Sequence, residues 1–344
     1  MGFLFLVNLL ALVAFQQSAQ AVTIKSITVA PAVLSVTSIA LTNGNHASNV
    51  STSWTHIYTT NDVVTATVKY SGAVTVTGSP TLSLNIGGTT RSATYVSGSG
   101  TTELTFTYTI ENQLADTDGI SIDANALSLS GGAINDASTH AAILTHSAVA
   151  DNGDYQVLTI GGSYEGGKIA YFLASVDNPL GTISGDNVGV PIPYSALAPH
   201  GLIAQTADIS SVIPWATSDY DRQDVQGIEN QPSYSPTASG IRFGDGAANT
   251  VAIYQQHLPA TTGYAAGIVM NSGAGGKSDW YLPSAEELKK LWINRSVVGG
   301  FADNYYWSSS EYDAYLAWYQ LFSNGIQYFS YKFFNFRVRA VRAF

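Results

Sequence analysis

The sequence predicts two domains, an all-β sandwich over residues 37–160 and an α+β domain over residues 161–344. Three observations carry that division. Apolar and polar residues alternate with period two through the first part, the pattern of strands with one buried and one wet face. A Gly-rich link at Gly161-Gly162 then interrupts the pattern. Beyond it, helical spacing and strand-like runs are mixed within one segment.

The opening stretch "MGFLFLVNLLALVAFQQSAQA" has an apolar run from Phe3 to Phe15 leading into Ala19-Gln20-Ala21. That is a small-x-small cleavage pattern, and it predicts a signal peptide over residues 1–21, although no Lys or Arg precedes the apolar core. The run is short for a bilayer span. Residues 22–36 read as a linker. Only 11% of residues are charged, the net charge is −10 and there are no cysteines. This profile fits a secreted or surface-displayed protein and removes disulfides, thiolate metal sites and Cys nucleophiles. Nucleic acid is not an expected partner, because phosphate binding needs clustered Lys and Arg. Only the end of the chain is basic, with Lys332, Arg337, Arg339 and Arg342.

In the first domain, Val64, Ala66, Val68 and Tyr70 alternate with polar residues, as do Leu82, Leu84, Ile86 and then Leu104, Phe106, Tyr108, Ile110. Gly87-Gly88 and "SGSG" (97–100) supply turns between them. The wording "VTVTGSPTLSLNIGGTTRSATYVSGSGTTELTFTYTI", followed by "DTDGISIDANALSLSGGAINDA", resembles a bacterial immunoglobulin-like repeat of long surface proteins. The resemblance implies an immunoglobulin-like sandwich serving as spacer or stalk. Asp116, Asp118 and Asp123 lack the dense D-x-D-x-D-G spacing of a calcium loop and read as a polar turn. Asp219, Asp221 and Asp224 in "DYDRQD" read the same way.

In the second domain, "ANTVAIYQQH" puts Val251, Tyr254 and Leu258 at helical spacing after Asn249 as a possible cap. "LPSAEELKKLW" is a stronger helix start. Ser284 with Glu287 three residues on makes a capping box, and Leu288, Leu291 and Trp292 form the apolar stripe.

Several motifs then line up: "HGLIA" (200–204), "IPW" (213–215), "GYAAG" (263–267), "SDWYLPSAEELKKLW" (278–292), "GGF" (299–301), "YWSSSE" (306–311) and "RVRAVRAF" (337–344). In this order they resemble the Lcl-type C-terminal domain family, which has a C-type-lectin-like fold. The resemblance implies a binding role without enzyme chemistry or a cofactor. One subset of this fold provides the variable proteins of diversity-generating retroelements. There a reverse transcriptase acts on the gene, copying a template repeat with errors at adenines into its 3′ end. Ordinary family members carry Asn-rich text between "WSSSE" and "VRAVRAF", and randomising both adenines of an Asn codon yields every residue type except Gln, Glu, Lys, Met and Trp. Within the variable region, about 306–344, the text in place of that Asn-rich stretch includes Tyr312, Asp313, Tyr315, Leu316, Tyr319, Leu321, Ile326, Tyr328, Phe329, Ser330, Tyr331, Phe333, Phe334, Asn335 and Phe336, and every one of these obeys the limit. They are the candidate ligand-binding residues. Trp318, Gln320, Gln327 and Lys332 carry excluded types and are expected to be fixed. Trp307, Glu311, Trp318, Phe322, Gly325, Arg337 and Arg339 are the expected scaffold.

Geometry adds an independent expectation. Asn324-Gly325 is the preferred pair for a two-residue type I′ hairpin, which would pair Leu321 with Tyr328 and Tyr319 with Ser330. Tyr319, Leu321, Ile326, Tyr328 and Ser330 then share one face, and Trp318, Gln320, Phe322 and Gln327 share the other. Phe329 and Tyr331 break the rule; either the ladder ends near Tyr328 or these two are ordinary core aromatics. Eleven large aromatics lie between Tyr312 and Phe336. With half of them facing outward, the apolar surface would exceed the few hundred Å² that monomers usually expose. Such a surface calls for a partner, and Tyr is the residue antibody loops favour for that purpose.

In "FRVRAVRAF", Phe336, Val338 and Ala340 alternate with Arg337 and Arg339, predicting one terminal strand whose arginines pair with Glu286, Glu287 or Glu311. The serines of "WSSS" are expected to satisfy backbone groups beneath the variable loops. The six histidines (His46, His56, His140, His146, His200, His257) are scattered, the nearest approach to a ligand pair being His140/His146. No nucleophile elbow, phosphate loop or dinucleotide fingerprint is present. The expected function is a receptor for an unknown protein or glycan on another cell, phage or host surface. The alternative is a fixed-specificity adhesion or structural domain that uses its aromatic face for self-association or envelope attachment.

Overall fold

Residues 33–42, 57–172 and 201–344 are described by the computed structural model. The signal-peptide reading, most of the linker, and His46, His56 and His200 lie outside these residues. The protein is mostly β, with several sheets. In the N-terminal part, alternating runs become β1 (Val36–Thr42), β2 (Ile57–Tyr58), β3 (Val63–Thr77), β4 (Thr81–Ile86), β5 (Thr89–Ser97), β6 (Thr101–Thr109), β7 (Leu127–Ser128) and β8 (Ala133–Asn135). All but β2 join one seven-stranded sheet in the order β1-β3-β6-β5-β4-β7, with β8 on the far end of β3. A register break between Lys69 and Val74 lets the long β3 pair first with β1 and β6 and then with β8. Val64, Ala66, Val68, Tyr70, Leu82, Leu84, Ile86, Leu104, Phe106 and Ile110 are all buried in one core. Tyr108 is only half-buried. The Asp116 carboxylate accepts the Gly87 and Gly119 N–H groups, both at 2.8 Å, and so ties together two turns.

The link to the second part is packed. β9 (Gln156–Val157) pairs in parallel with β2, and Leu158 buries against Ile57 and Ile169. Gly161 lies at φ +82°, and its N–H donates to the Ile169 carbonyl at 2.7 Å. A Cβ there would stand 2.6 Å from the Val297 carbonyl oxygen, so only glycine fits the approach.

The C-terminal part runs β10 (Ser163–Tyr164), β11 (Gly167–Phe172), β12 (Gly201–Ala204) and β13 (Ser210–Pro214). Next come α1 (Gly246–Gln256), α2 (Ala265–Met270), α3 (Ala285–Ile293) and α4 (Arg295–Val298). It ends in β14 (Tyr305–Glu311), β15 (Leu316–Leu321), β16 (Gln327–Tyr331), β17 (Asn335–Val338) and β18 (Val341–Ala343). A four-stranded sheet is ordered β10-β11-β12-β18, and a five-stranded sheet β13-β17-β14-β15-β16. The expected single terminal strand is therefore two. β17 and β18 enter different sheets because the β12–β13 segment crosses between them, Gln205 N–H bonding Ala340 O and Ile209 N–H bonding Val338 O.

α3 follows its sequence signature. Ser284 Oγ accepts the Glu287 N–H and Glu287 Oε2 accepts the Ser284 N–H, while Leu288 and Leu291 are buried and Trp292 half-buried. α1 does not follow its own. It starts at Asp245, one turn earlier than expected, and Asn249 sits inside it, buried and donating to Gly240 O at 2.8 Å. Its core-facing residues are Asn249, Thr250 and Ile253, and Leu258 lies beyond its end, exposed. Asn249 is held within the helix because a buried carbonyl needs its side-chain amide.

Candidate functional site

β14 supplies the floor of the site. Its serines turn inward, each spent on a buried polar group. Ser308 Oγ donates to Trp318 O at 2.8 Å, Ser309 Oγ accepts from Asn249 Nδ2 at 3.3 Å, and Ser310 Oγ donates to Gly240 O while accepting the Ala285 N–H. A run of three small hydroxyls lets the neighbouring segments approach closely while each hydroxyl keeps a partner.

β15 and β16 rise from that floor as a hairpin whose turn differs from the expected one. The pairs are Gln320 with Gln327, Tyr319 with Tyr328, Trp318 with Phe329 and Ala317 with Ser330. Leu321 N–H donates to Ile326 O at 2.8 Å, so the loop is the four residues Phe322, Ser323, Asn324 and Gly325. Phe322 is what displaces the turn. It is fully buried against Tyr306 and Phe301, at 4.4 and 4.7 Å between ring centroids, and its backbone bonds outside the hairpin to Asn304 O and Trp292 Nε1. Burying a phenyl ring outweighs the local preference of Asn-Gly for a two-residue turn. Of that pair only Gly325 has positive φ, +84°. The ladder continues to Tyr331, opposite Leu316. Phe329 lies on the Trp318 side, half-buried, and Tyr331 is exposed, so of these two only Phe329 packs inward.

Along this segment the side chains separate sharply. Tyr315, Ile326, Tyr328, Tyr331, Phe333 and Phe334 each keep between 46% and 55% of their surface in solvent. Asn335 is also exposed, while Tyr312, Asp313, Leu316, Tyr319, Leu321, Phe329, Ser330 and Phe336 are half-buried. None of the fifteen candidate binding residues is fully buried. Interleaved with them, Trp318, Gln320, Phe322 and Lys332 are buried, as are Trp307 and Glu311 just before them, and Gln327 is half-buried, donating to Ala285 O.

The outward aromatics form three clusters, two of them resting on a buried tryptophan. Phe336 and Tyr319 pack on Trp307, at 4.3 and 6.5 Å, and carry the exposed Tyr305 with them. Tyr312 and Phe329 pack on Trp318, at 5.8 and 5.9 Å. Tyr331, Phe333 and Phe334 stack on one another at 4.9 to 6.2 Å. Beneath this third cluster Lys332 turns inward, its Nζ 4.9 Å from the ring of Trp215. The three indole N–H groups end on backbone carbonyls, Trp307 on Ile213, Trp318 on Gln231 and Trp215 on Ser308. Each tryptophan thus fixes a large apolar support with no unpaired polar atom.

Lys332 and Glu311 form a wholly buried ion pair. Lys332 Nζ also donates to Gln223 O at 2.8 Å and Ala314 O at 3.0 Å, and Glu311 accepts the Val225 N–H. Burial pushes the Glu311 carboxyl up to about 7 against the opposing pull of Lys332 and Val225, and burial lowers Lys332. Arg337 and Arg339 do not pair with Glu286, Glu287 or Glu311. Both reach Asp208, at 2.9 and 2.7 Å, and Tyr306 Oη donates to the same carboxylate. Alternation puts the two arginines on one face of the strand, and that face meets the β12–β13 segment, which carries Asp208. The expected glutamates are engaged elsewhere: Glu286 with Lys289, and Glu287 in the α3 cap.

An open groove of about 480 Å³ lies beside the third cluster, lined by Asp221, Arg222, Asp313, Tyr315, Tyr331 and Phe333. Sequence reasoning took Asp221 for part of a polar turn; the fold carries that turn to the hairpin. Tyr305 and Trp215 were also missed as site residues, although "IPW" marked the latter. Among the described residues no group of three or more His, Cys, Asp or Glu is placed to hold a metal, and no helix is long and apolar enough to cross a membrane.

Comparison with known proteins reaches the same region. A search of curated proteins found no match. The chain is similar over 83% of its length to a solved fimbrial protein from Bacteroides ovatus, covering 76% of that chain at 14% identity with a TM-score of 0.36, a level that does not establish a common fold. Residues 218–342, the segment that contains α1, α3 and the whole hairpin, match the family model of the Lcl C-terminal domain, a family linked to the variable proteins of diversity-generating retroelements.

Proposed function

We propose that this protein is a secreted or surface-displayed receptor, with an immunoglobulin-like stalk and a C-type-lectin-like head whose 306–344 segment binds ligand and is rewritten by a retroelement. One observation carries the reading. All fifteen candidate positions reach solvent, whereas the interleaved Trp318, Gln320, Phe322 and Lys332, and Trp307 and Glu311 just before them, are buried. Close-packed positions tolerate few side chains and exposed ones tolerate most. A surface that changes while its fold persists requires that division. Binding is by shape and aromatic contact, with Tyr and Phe as anchors for a protein or glycan on another cell, phage or host surface, each anchor contributing about 2 kcal/mol or more.

Sequencing the locus around the gene tests the diversification. A near-copy of the 3′ end, differing only where it has adenine and lying beside a reverse-transcriptase gene, is the expected result. Absence of any such copy overturns diversification and leaves the fixed adhesion reading, which the same exposed aromatics support. Concentration-dependent self-association, lost in Tyr319→Ala and Tyr328→Ala, would favour that second reading.

A further inference from the structure

Resting on the receptor reading, we propose that the groove beside Tyr315 takes a basic side chain, Lys or Arg, of a protein ligand. Three observations converge there. The first is the lining, where Tyr315, Tyr331 and Phe333 border the groove and Tyr331 and Phe333 stack at 5.3 Å with 15° between their planes. Aromatic faces carry partial negative charge and attract ammonium and guanidinium groups.

The second is a pair of carboxylates with capacity to spare. Asp313 Oδ1 accepts the Tyr315 and Leu316 N–H groups at 2.8 and 2.9 Å, which holds the side chain in place, and no described residue bonds Oδ2. Asp221 is 9% exposed, and no described residue donates a hydrogen bond to its carboxylate. Its counter-charge is Arg222 Nε at 3.8 Å, on a side chain 76% exposed. Neither carboxylate is filled by donors of the fold, and a guanidinium or ammonium entering the groove supplies charged ones in place of water.

The third is charge complementarity. Two carboxylates against one exposed arginine repel an anionic ligand, and acceptor-only carboxylates suit a ligand that only donates. A neutral sugar can bond the Tyr315 and Tyr331 hydroxyls, but it gains nothing from two carboxylates set against one arginine. The volume of about 480 Å³ admits a long side chain with its neighbours. Asp313 is one of the candidate variable positions, so this preference belongs to the present sequence, whereas Asp221 and Arg222 lie outside the variable region.

The test uses the full chain and fluorescein-labelled octapeptides identical except for Arg, Lys, Gln or Glu at one central position, read by fluorescence anisotropy. The Arg and Lys peptides are expected to bind ~10-fold tighter than Gln, with Glu weakest. Asp221→Asn and Asp313→Asn should each erode that ratio without moving the thermal midpoint, and Arg222→Gln, which removes the competing cation, should raise affinity for the Arg peptide. Equal affinity for Arg and Gln, an Arg preference that survives the double Asn variant, or no saturable binding of the Arg peptide up to about 1 mM overturns the proposal. Loss of the groove's selectivity leaves the locus test intact, and failure of the locus test leaves the peptide ratios intact, so the two readings fail separately.

Discussion

Lys332 meets Glu311 in an ion pair with no exposed surface, while its sequence neighbours Tyr331 and Phe333 stand in solvent on either side. One residue turned inward between two turned outward is how the loop after β16 is held. The ammonium gathers Gln223 O and Ala314 O as well as the carboxylate, so a single side chain pins the base of the display loop to two other segments.

Removing one partner leaves the other charge buried and unpaired. Lys332→Met alone is expected to cost about 3–5 kcal/mol in urea unfolding, and Lys332→Met with Glu311→Leu should recover most of it. A single variant within experimental error of wild type would show that the pair carries no structural role.

Phe322 and Phe334 are the same residue in opposite settings. Phe322→Ala should destabilise by about 3–5 kcal/mol, because a fully buried ring leaves a cavity. Phe334→Ala should change stability by about 0.5 kcal/mol or less. Similar losses for the two would contradict the division of buried and exposed positions on which the receptor reading rests.

Gly325 closes the β15–β16 loop at φ +84°, and a Cβ there would lie 2.3 Å from Trp292 Cζ2. Gly325→Ala is therefore strained twice, by conformation and by contact, and should cost more than about 1 kcal/mol. Tryptophan emission should shift with it, since the indole of Trp292 has to move away. An unchanged emission spectrum with unchanged stability would refute the loop geometry.

Glu287 gives the α3 cap a pH dependence. Burial pushes its carboxyl up to about 7 from an ordinary 4.5, despite hydrogen bonds from Ser284 N–H, Gly244 N–H and Tyr281 Oη. Between those two values the folded chain keeps a proton that the unfolded chain has released, so this group's contribution to stability is fully present below about 4.5 and is lost as pH rises to about 7. The slope is at most about 1.4 kcal/mol per pH unit. The unfolding free energy of wild type minus that of Glu287→Gln, followed from pH 4 to 8, should fall across that window and then level. A difference independent of pH would rule the mechanism out.

Period-two alternation named the core of the first sheet nearly residue by residue, because a strand's faces are set by the chain itself. The α3 capping box was legible for the same reason: both of its hydrogen bonds close within four residues. What failed were the hairpin turn, the arginine partners and the α1 cap, each decided by a group outside the local pattern. The Asn324-Gly325 turn lost to the burial of Phe322 against Tyr306 and Phe301. The arginines of "RVRAVRAF" chose Asp208 over nearer-seeming glutamates, and Asn249 moved from cap to helix interior to satisfy Gly240 O. Local rules specify elements and faces, since they act through adjacent bonds. Register, charge partners and the groove that joins Asp221 to Tyr315 come from packing between segments that local rules do not connect, where burial free energy exceeds local preference.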